Sequence, residues 1–330
     1  MEMHTTTIQE DKGDGIFHKA MNSESRPVWI PGPVIIGAGP SGLAVAACLK
    51  ERGVPFLILE KESCIGSLWR LKTYNRLQLH LPKETCKLPY MPFPPEVPAY
   101  PTKKQFISYL EAYAKHFAIE PMFRQEVQSA IYDARMGFWR VQANESKFLC
   151  RWFIVATGEN AEPVLPNIEG ISDFKGSLIH TSRYKDGADF EGQKVLVIGC
   201  GNSGMEISLD LCNNDAQVFL AVRDKVVCGA RRFTANGVEF VDGQVENFDS
   251  VILATGYRSN VTSWLKEDSF FNEDGYPRNP FPDNWKGKNG LYSVGFARSG
   301  LLGSSIDAQR VAEDLARQWS SETKHLRIES

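Results

Sequence analysis

The chain has 330 residues, enough for one large domain or two ordinary ones with a full core. A net charge of −3 leaves no basic footprint for nucleic acid or an anionic membrane, and no apolar run approaches the roughly 20 residues that span a bilayer. Seven scattered cysteines without a CxxC pair exclude a zinc ribbon or a dithiol redox centre.

The stretch from Met1 to about Pro27 is polar and mixed in charge. It lacks the apolar core of a secretory signal, and its acidic residues argue against a transit peptide. It reads as a disordered tail, and the cysteines as reduced thiols, so the expected address is cytoplasmic. Order begins at Val34-Ile35-Ile36, a short apolar run that reads as a buried strand. It meets Gly37-Ala38-Gly39-Pro40-Ser41-Gly42, followed by a helical stretch from Leu43 to about Arg52 that Gly53 stops. Phe56-Leu57-Ile58-Leu59-Glu60 is the next strand, completing a βαβ unit of about 30 residues.

Pro82 to Pro101 is thick with proline and reads as an irregular excursion. A helix is predicted from about Lys103 to Phe117, then strands around Phe138–Val141 and Arg151–Ala156 that lead to Thr157-Gly158. The opening pattern then recurs: strand Lys194–Ile198, glycine turn Gly199-Cys200-Gly201-Asn202-Ser203-Gly204, helix Met205 to Asn213, strand Val218–Val222. A further strand, Ser250–Ala254, runs into Thr255-Gly256-Tyr257, and the chain ends with a strand at Leu291–Val294 and an amphipathic helix from about Ser305 to Gln318. Strands alternating with helices predict parallel sheets under helical cover. The fold class is therefore α/β, with two Rossmann-like dinucleotide-binding units, the second inserted in the first.

In G-x-G-x-x-G the first glycine permits the tight turn, the second admits a pyrophosphate against the backbone, and the third lets helix pack on strand. The pyrophosphate then sits on the unpaired N–H groups of the helix start. Both turns here follow a predicted strand and open a predicted helix, the context the motif requires. Beyond the first, Glu60 is placed to accept hydrogen bonds from the hydroxyls of a bare ribose, as in FAD or NAD. Beyond the second, the matching place holds Arg223 with Lys225 close by, which suits the 2′-phosphate of NADPH. Asp224 between them complicates that reading, and a solvated strand end is the alternative for Arg223. Gly66-Ser67-Leu68-Trp69 follows Glu60 and lets the loop run beside a flavin, although Trp69 alone reads as a core aromatic. The turns Ala156-Thr157-Gly158 and Ala254-Thr255-Gly256 are candidates for the places where the chain crosses between units.

With both glycine turns in place, the string from Phe174 to Tyr184 fits F-x-G-x-x-x-H-x-x-x-[Y/F] through Phe174, Gly176, His180 and Tyr184. That is the identifying motif of class B flavin-containing monooxygenases. More closely, Leu77-Gln78-Leu79-His80-Leu81-Pro82-Lys83, Ala156-Thr157-Gly158-Glu159-Asn160 and Leu253-Ala254-Thr255-Gly256-Tyr257-Arg258-Ser259-Asn260 resemble the plant YUCCA-type indole-3-pyruvate monooxygenases. The resemblance runs from about Val34 to Asp224 and again from about Lys225 to Gln318.

What the resemblance implies is an NADPH-dependent oxygenase of auxin synthesis that takes indole-3-pyruvate and O2 to indole-3-acetate, through a C4a-(hydro)peroxyflavin and decarboxylation. It implies an FAD-binding domain over 29–188 that returns at 249–330, around an NADPH-binding domain over 189–248, with 1–28 as the tail. In the family the motif is associated with domain positioning, so His180 and Tyr184 are expected to be structural, with the flavin carrying the chemistry and no triad or metal cluster needed. One departure stands out. Arg223-Asp224-Lys225 runs almost directly into Val226-Val227-Cys228-Gly229, where the family has a long, largely helical excursion. The few residues left before the strand at Ser250 are too short for parallel crossovers with extra helices. The alternatives are an N- or S-oxygenating flavin monooxygenase and a catalytically impaired FAD-binding splice form.

Overall fold

The computed structural model describes residues 26–222, 229–267 and 269–328. Arg223 and Cys228 therefore lie outside the described residues, as does nearly all of the expected tail. Val28, assigned to that tail from the sequence, instead opens the strand Val28–Ile30, which pairs in parallel with Ser146–Cys150.

The first unit is a parallel four-stranded sheet in the order Leu291–Ser293, Phe153–Val155, Val34–Ile36, Leu57–Leu59. Every residue of these strands is buried, as expected of a parallel sheet covered on both faces. Alternation along each strand then divides the core in two. Ile35, Ile58, Ile154 and Tyr292 pack against the helices, whereas Val34, Ile36, Leu57, Leu59, Phe153, Val155 and Leu291 face a second, five-stranded sheet. That sheet runs Val28–Ile30, Ser146–Cys150, Phe138–Ala143, Val127–Asp133, Leu265–Lys266.

On the helical side, Pro40–Lys50 is apolar all round and buried from Ser41 to Leu49, the mark of a helix inside the core rather than on its surface. It packs along the C-terminal helix Gly300–Ile328, which starts five residues earlier and runs ten further than the sequence predicts. The helix Lys103–His116 begins where expected because Thr102 and Gln105 form a reciprocal capping box.

The second unit repeats the plan in the order Gln217–Ala221, Lys194–Ile198, Ser250–Leu253, Ser177–His180, all parallel. The expected boundaries at 188 and 249 put Ser177–His180 and Ser250–Leu253 in the first unit; both are hydrogen-bonded into this second sheet instead. Two-way pairing to Lys194–Ile198 and its neighbour decides their place, which strand type alone does not reveal. One face is covered by the helix Asn202–Asn213, the other by a three-stranded antiparallel sheet, Ala230–Phe233, Gly237–Phe240 and Val245–Asn247. Antiparallel strands need only tight turns between them, so these few residues still bury Phe233, Val238 and Phe240 against Leu196, Val251 and Leu253.

The two Ala-Thr-Gly turns lead into the strands Glu162–Pro163 and Tyr257–Arg258, which pair antiparallel. The outgoing and returning connections between the units thus run side by side as one short ribbon.

Candidate functional site

The glycines of the two turns are placed alike. Gly37 and Gly199 have φ of +104° and +112°, a region open to glycine, and a Cβ on either would strike the carbonyl of Ala156 or Ala254. Gly42 and Gly204 lie so close to the carbonyl oxygens of Gly37 and Gly199 that a Cβ would approach within 1.9 Å in each case. Gly39 and Gly201, the middle glycines, have nothing within 4 Å of where a Cβ would stand. Two of the glycines in each turn thus serve the fold, and the third keeps a space clear in front of the helix start. Pro40 at the first helical position has no N–H, so Ser41 and Gly42 present the free donors there.

The first turn opens on a cavity of about 670 Å³, within the range of small-molecule and cofactor sites. Its walls include Gly37, Gly39, Pro40, Ser41, Glu60, Gly66, Ser67 and Trp69, so most of the first-unit residues singled out from the sequence converge on one space. Ala38 is fully buried behind the wall. Glu60, 4% exposed, does more than await a ribose. One carboxylate oxygen accepts the Ala38 N–H at 2.8 Å, and the other accepts the Glu62 N–H at 3.0 Å and the Ser67 hydroxyl at 3.2 Å. It therefore fastens the glycine turn to the loop that follows, and still has acceptor capacity facing the cavity. Gly66, at φ +58°, donates its N–H to the Ala38 carbonyl and closes the same corner. Trp69 lines the cavity and sets its edge on Phe106 at 4.5 Å, so the core and cofactor readings of this residue both apply.

Three walls escaped the sequence reading: Gln125–Gln128, Asn260 with Ser263 and Trp264, and Gly295 to Ser304. The last had a weak signal, Gly295, Gly300 and Gly303 with serines among them where the last helix begins. Ser304 joins the first turn directly through the Ser41 hydroxyl at 3.1 Å. Gln125 Oε1, Thr157 Oγ1 and Asn260 Oδ1 are buried on this cavity without a partner in the protein. Unsatisfied buried polar atoms are costly, and three around one space call for a polar ligand. The free helix N–H groups, the open space at Gly39 and these three atoms fit FAD.

The second turn does not line that cavity. Cys200 and Asn202 are exposed beside it, Ser203 is half-buried, and the clear space at Gly201 suits a pyrophosphate. Arg223, expected to read a 2′-phosphate, is beyond the described residues.

His180 is buried and neutral. The Ser182 N–H donates to Nδ1 at 3.1 Å, which leaves the proton on Nε2 to donate to the Gly256 carbonyl at 3.1 Å, and burial lowers its pKa. It ties the end of Ser177–His180 to the second crossing turn and stacks edge-on to Tyr257. The Tyr184 hydroxyl donates to Asp210 at 2.7 Å, deep in the second unit. Neither residue lines the cavity.

The family described as pyridine nucleotide-disulphide oxidoreductase matches residues 34–230. The probable indole-3-pyruvate monooxygenase YUCCA3 of Arabidopsis thaliana is 45% identical over 405 residues, covering 95% of this chain and 91% of that protein. The chain belongs to the YUCCA family of plant flavin monooxygenases. The indole-3-pyruvate monooxygenase YUCCA6 of Arabidopsis thaliana is 43% identical, with 94% of this chain and 96% of that protein covered. Among solved structures, a flavin-containing monooxygenase from Stenotrophomonas maltophilia superposes with a TM-score of 0.78 at 23% identity, over 88% of this chain and 99% of that one. An S-allyl-L-cysteine S-oxygenase from Allium sativum superposes at 0.72 with 20% identity, over 91% and 83%. Both share the fold. The family's members are oxidoreductases that use FAD and NADPH. The YUCCA3 alignment spans 405 positions against 330 residues here, so at least 75 of its positions have no residue of this chain opposite them. No helix among the described residues is long and apolar enough to cross a membrane.

Proposed function

We propose that this chain is an indole-3-pyruvate monooxygenase that holds FAD in the cavity behind Gly37–Gly42 and accepts NADPH at Gly199–Gly204. In that reaction indole-3-pyruvate, O2, NADPH and a proton give indole-3-acetate, CO2, water and NADP+. The observation that carries the reading is the completed flavin corner: glycine turn, Glu60 clamp and unpartnered polar atoms around one cavity, in a chain of this family.

FAD, when reduced by NADPH, supplies the oxygen activation. The chain's own residues do the holding. Ser41 and Gly42 offer N–H groups to the pyrophosphate at the helix start. Glu60 keeps the turn in shape and presents a carboxylate to the ribose side. Trp69, Trp264 and Leu301 supply apolar wall, which keeps water from a reactive flavin. His180 holds no proton for transfer, since both its nitrogens are engaged with backbone. The test is to incubate the purified protein with indole-3-pyruvate and NADPH and quantify indole-3-acetate. Product above a blank of free FAD is expected; its absence, with a thioether oxygenated instead, would move the chain to the N- or S-oxygenating group.

The 75 or more unmatched alignment positions favour a second reading, a family member that binds FAD and is not reduced by NADPH. Anaerobic addition of NADPH separates the two. The flavin absorbance bleaches under the first reading and persists under the second, while dithionite bleaches it under both.

A further inference from the structure

Between the short helix Ser67–Leu71 and the proline-rich stretch, Tyr74 and Leu77 reach from the first unit onto the second, while Leu79 returns to the first unit's core. Tyr74 and Leu77 are buried in the second unit's core, against Tyr184, Phe190, Val195, Ile207 and Leu211. The backbone of the same segment stays bound to the first unit: Lys103 N–H donates to the Leu77 carbonyl at 2.7 Å, and Leu79 N–H to the Pro101 carbonyl at 2.8 Å. The Thr73 carbonyl takes a lysine from each side, Lys103 Nζ at 2.9 Å and Lys185 Nζ at 3.2 Å.

Some polar contacts of this arm go to Lys185 and Asp186, with the Asn75 N–H donating to the Lys185 carbonyl at 3.0 Å, and the rest meet one face of one helix. Glu206 and Asp210, four residues apart in Asn202–Asn213, share that face. Glu206 accepts the Tyr74 hydroxyl at 2.6 Å and pairs with His80 at 3.4 Å. Asp210 pairs with Arg76 at 3.5 Å, and accepts the Tyr184 hydroxyl at 2.7 Å and the Gly187 N–H at 3.0 Å. That helix is the one opened by the second glycine turn, so where it sits is where a bound pyrophosphate sits. Elsewhere the units are joined by the two-stranded ribbon of Glu162–Pro163 and Tyr257–Arg258, with two residues in each strand, a natural pivot.

We propose that the segment from Thr73 to His80 is a clasp that stops rotation of the second unit about the ribbon, and that Glu206 and Asp210 are its anchors. They are positioning residues: they hold the nucleotide helix at a fixed distance from the flavin cavity and so set the rate of hydride delivery from NADPH. This assigns Tyr184 of the family motif its task, which is to orient the Asp210 carboxylate toward Arg76. The proposal rests on the NADPH-dependent reading above.

The test compares the FAD-loaded protein with Arg76→Ala/Glu206→Ala and with Glu206→Gln, whose side chain still accepts the Tyr74 hydroxyl. Both carriers are partly exposed, so the variants fold. Hydrogen exchange should rise at least tenfold in the clasp amides and in the ribbon amides of Ala161 and Val164 for the double variant, with FAD content and dithionite reduction unchanged. The anaerobic rate of flavin reduction by saturating NADPH should fall at least fivefold, and Glu206→Gln should recover most of it. Wild-type exchange in the double variant, or a wild-type reduction rate, overturns the clasp. If NADPH fails to reduce even the wild-type protein, the functional reading falls and the exchange measurement still decides the clasp.

Discussion

The middle and last glycines of the first turn look alike in sequence and differ in what they serve. A Cβ on Gly42 would lie 1.9 Å from the Gly37 carbonyl oxygen, an overlap with backbone that no rotamer relieves. Gly42→Ala therefore should not give a stable folded protein with any flavin, read as loss of soluble yellow protein. At Gly39 nothing stands within 4 Å, so Gly39→Ala should leave apoprotein melting within about 0.5 kcal/mol of wild type. Its methyl group instead occupies the space needed for the pyrophosphate to approach, and FAD affinity should fall at least tenfold, about 1.4 kcal/mol or more, in a titration of flavin fluorescence. Unchanged affinity in Gly39→Ala would show that the cofactor does not pass over this turn. The strand-to-helix turn was legible because its demands fall on a short stretch: a tight turn at Gly37 and a close helix at Gly42. Glu60 was legible by its spacing, but its second occupation, clamping Ala38, Glu62 and Ser67, needed coordinates.

Elements were read well where they were capped and poorly where pairing or packing alone defines them. The capping box at Thr102 and Gln105 announces Lys103–His116 within the sequence. Two-residue strands such as Glu162–Pro163 and Leu265–Lys266 are too short to show a period, and only long-range partners make them strands. Gly300-Leu301-Leu302-Gly303-Ser304-Ser305 reads as loop by propensity, yet it forms the first turns of the last helix because packing on Pro40–Lys50 outweighs the glycine cost of about 1 kcal/mol each. Asp307 of that helix is fully buried, accepts the Gly295 N–H at 3.4 Å with one oxygen, and leaves the other without a partner. Burial pushes its carboxyl from the usual 3.8 up to about 6. A folded-state pKa above the unfolded value means that the native protein holds the proton longer, so this group's contribution is fully present below about pH 4 and lost as pH rises through 6. Asp307→Asn should therefore be more stable than wild type at pH 8, by up to about 3 kcal/mol, with the gap closing below pH 4. Thermal unfolding of both proteins between pH 4 and 8 reads this out; a gap independent of pH would mean that Asp307 stays ionised throughout.

At the level of the whole molecule, two nucleotide units of the same plan ended with unequal surroundings. The first turn faces a cavity closed by segments from five other parts of the chain, among them the start of the last helix. The second turn keeps its cradle, but the cover on its sheet is a small antiparallel meander of three strands, reached within a few residues of Ala221. The sequence reading expects the shortfall from the spacing between Arg223 and Ser250. It did not show how the sheet would be covered instead, because a meander of strands four, four and three residues long depends on partners distant in sequence. The consequence is chemical. Pyrophosphate contacts fix only the middle of NADPH, and the nicotinamide must also be ordered against the flavin, which draws on binding energy. Inserting the corresponding YUCCA3 segment between Ala221 and Ala230 should therefore raise the anaerobic rate of flavin reduction at subsaturating NADPH by at least tenfold, equivalent to about 1.4 kcal/mol. FAD content should not change, because neither Ala221 nor Ala230 lines the cavity at the first turn. Reduction by dithionite should not change either, since it needs no nucleotide. An unaltered NADPH rate in a well-folded insertion variant would mean that the shortened unit already positions the nicotinamide, and that the clasp and the ribbon suffice to bring it to the flavin.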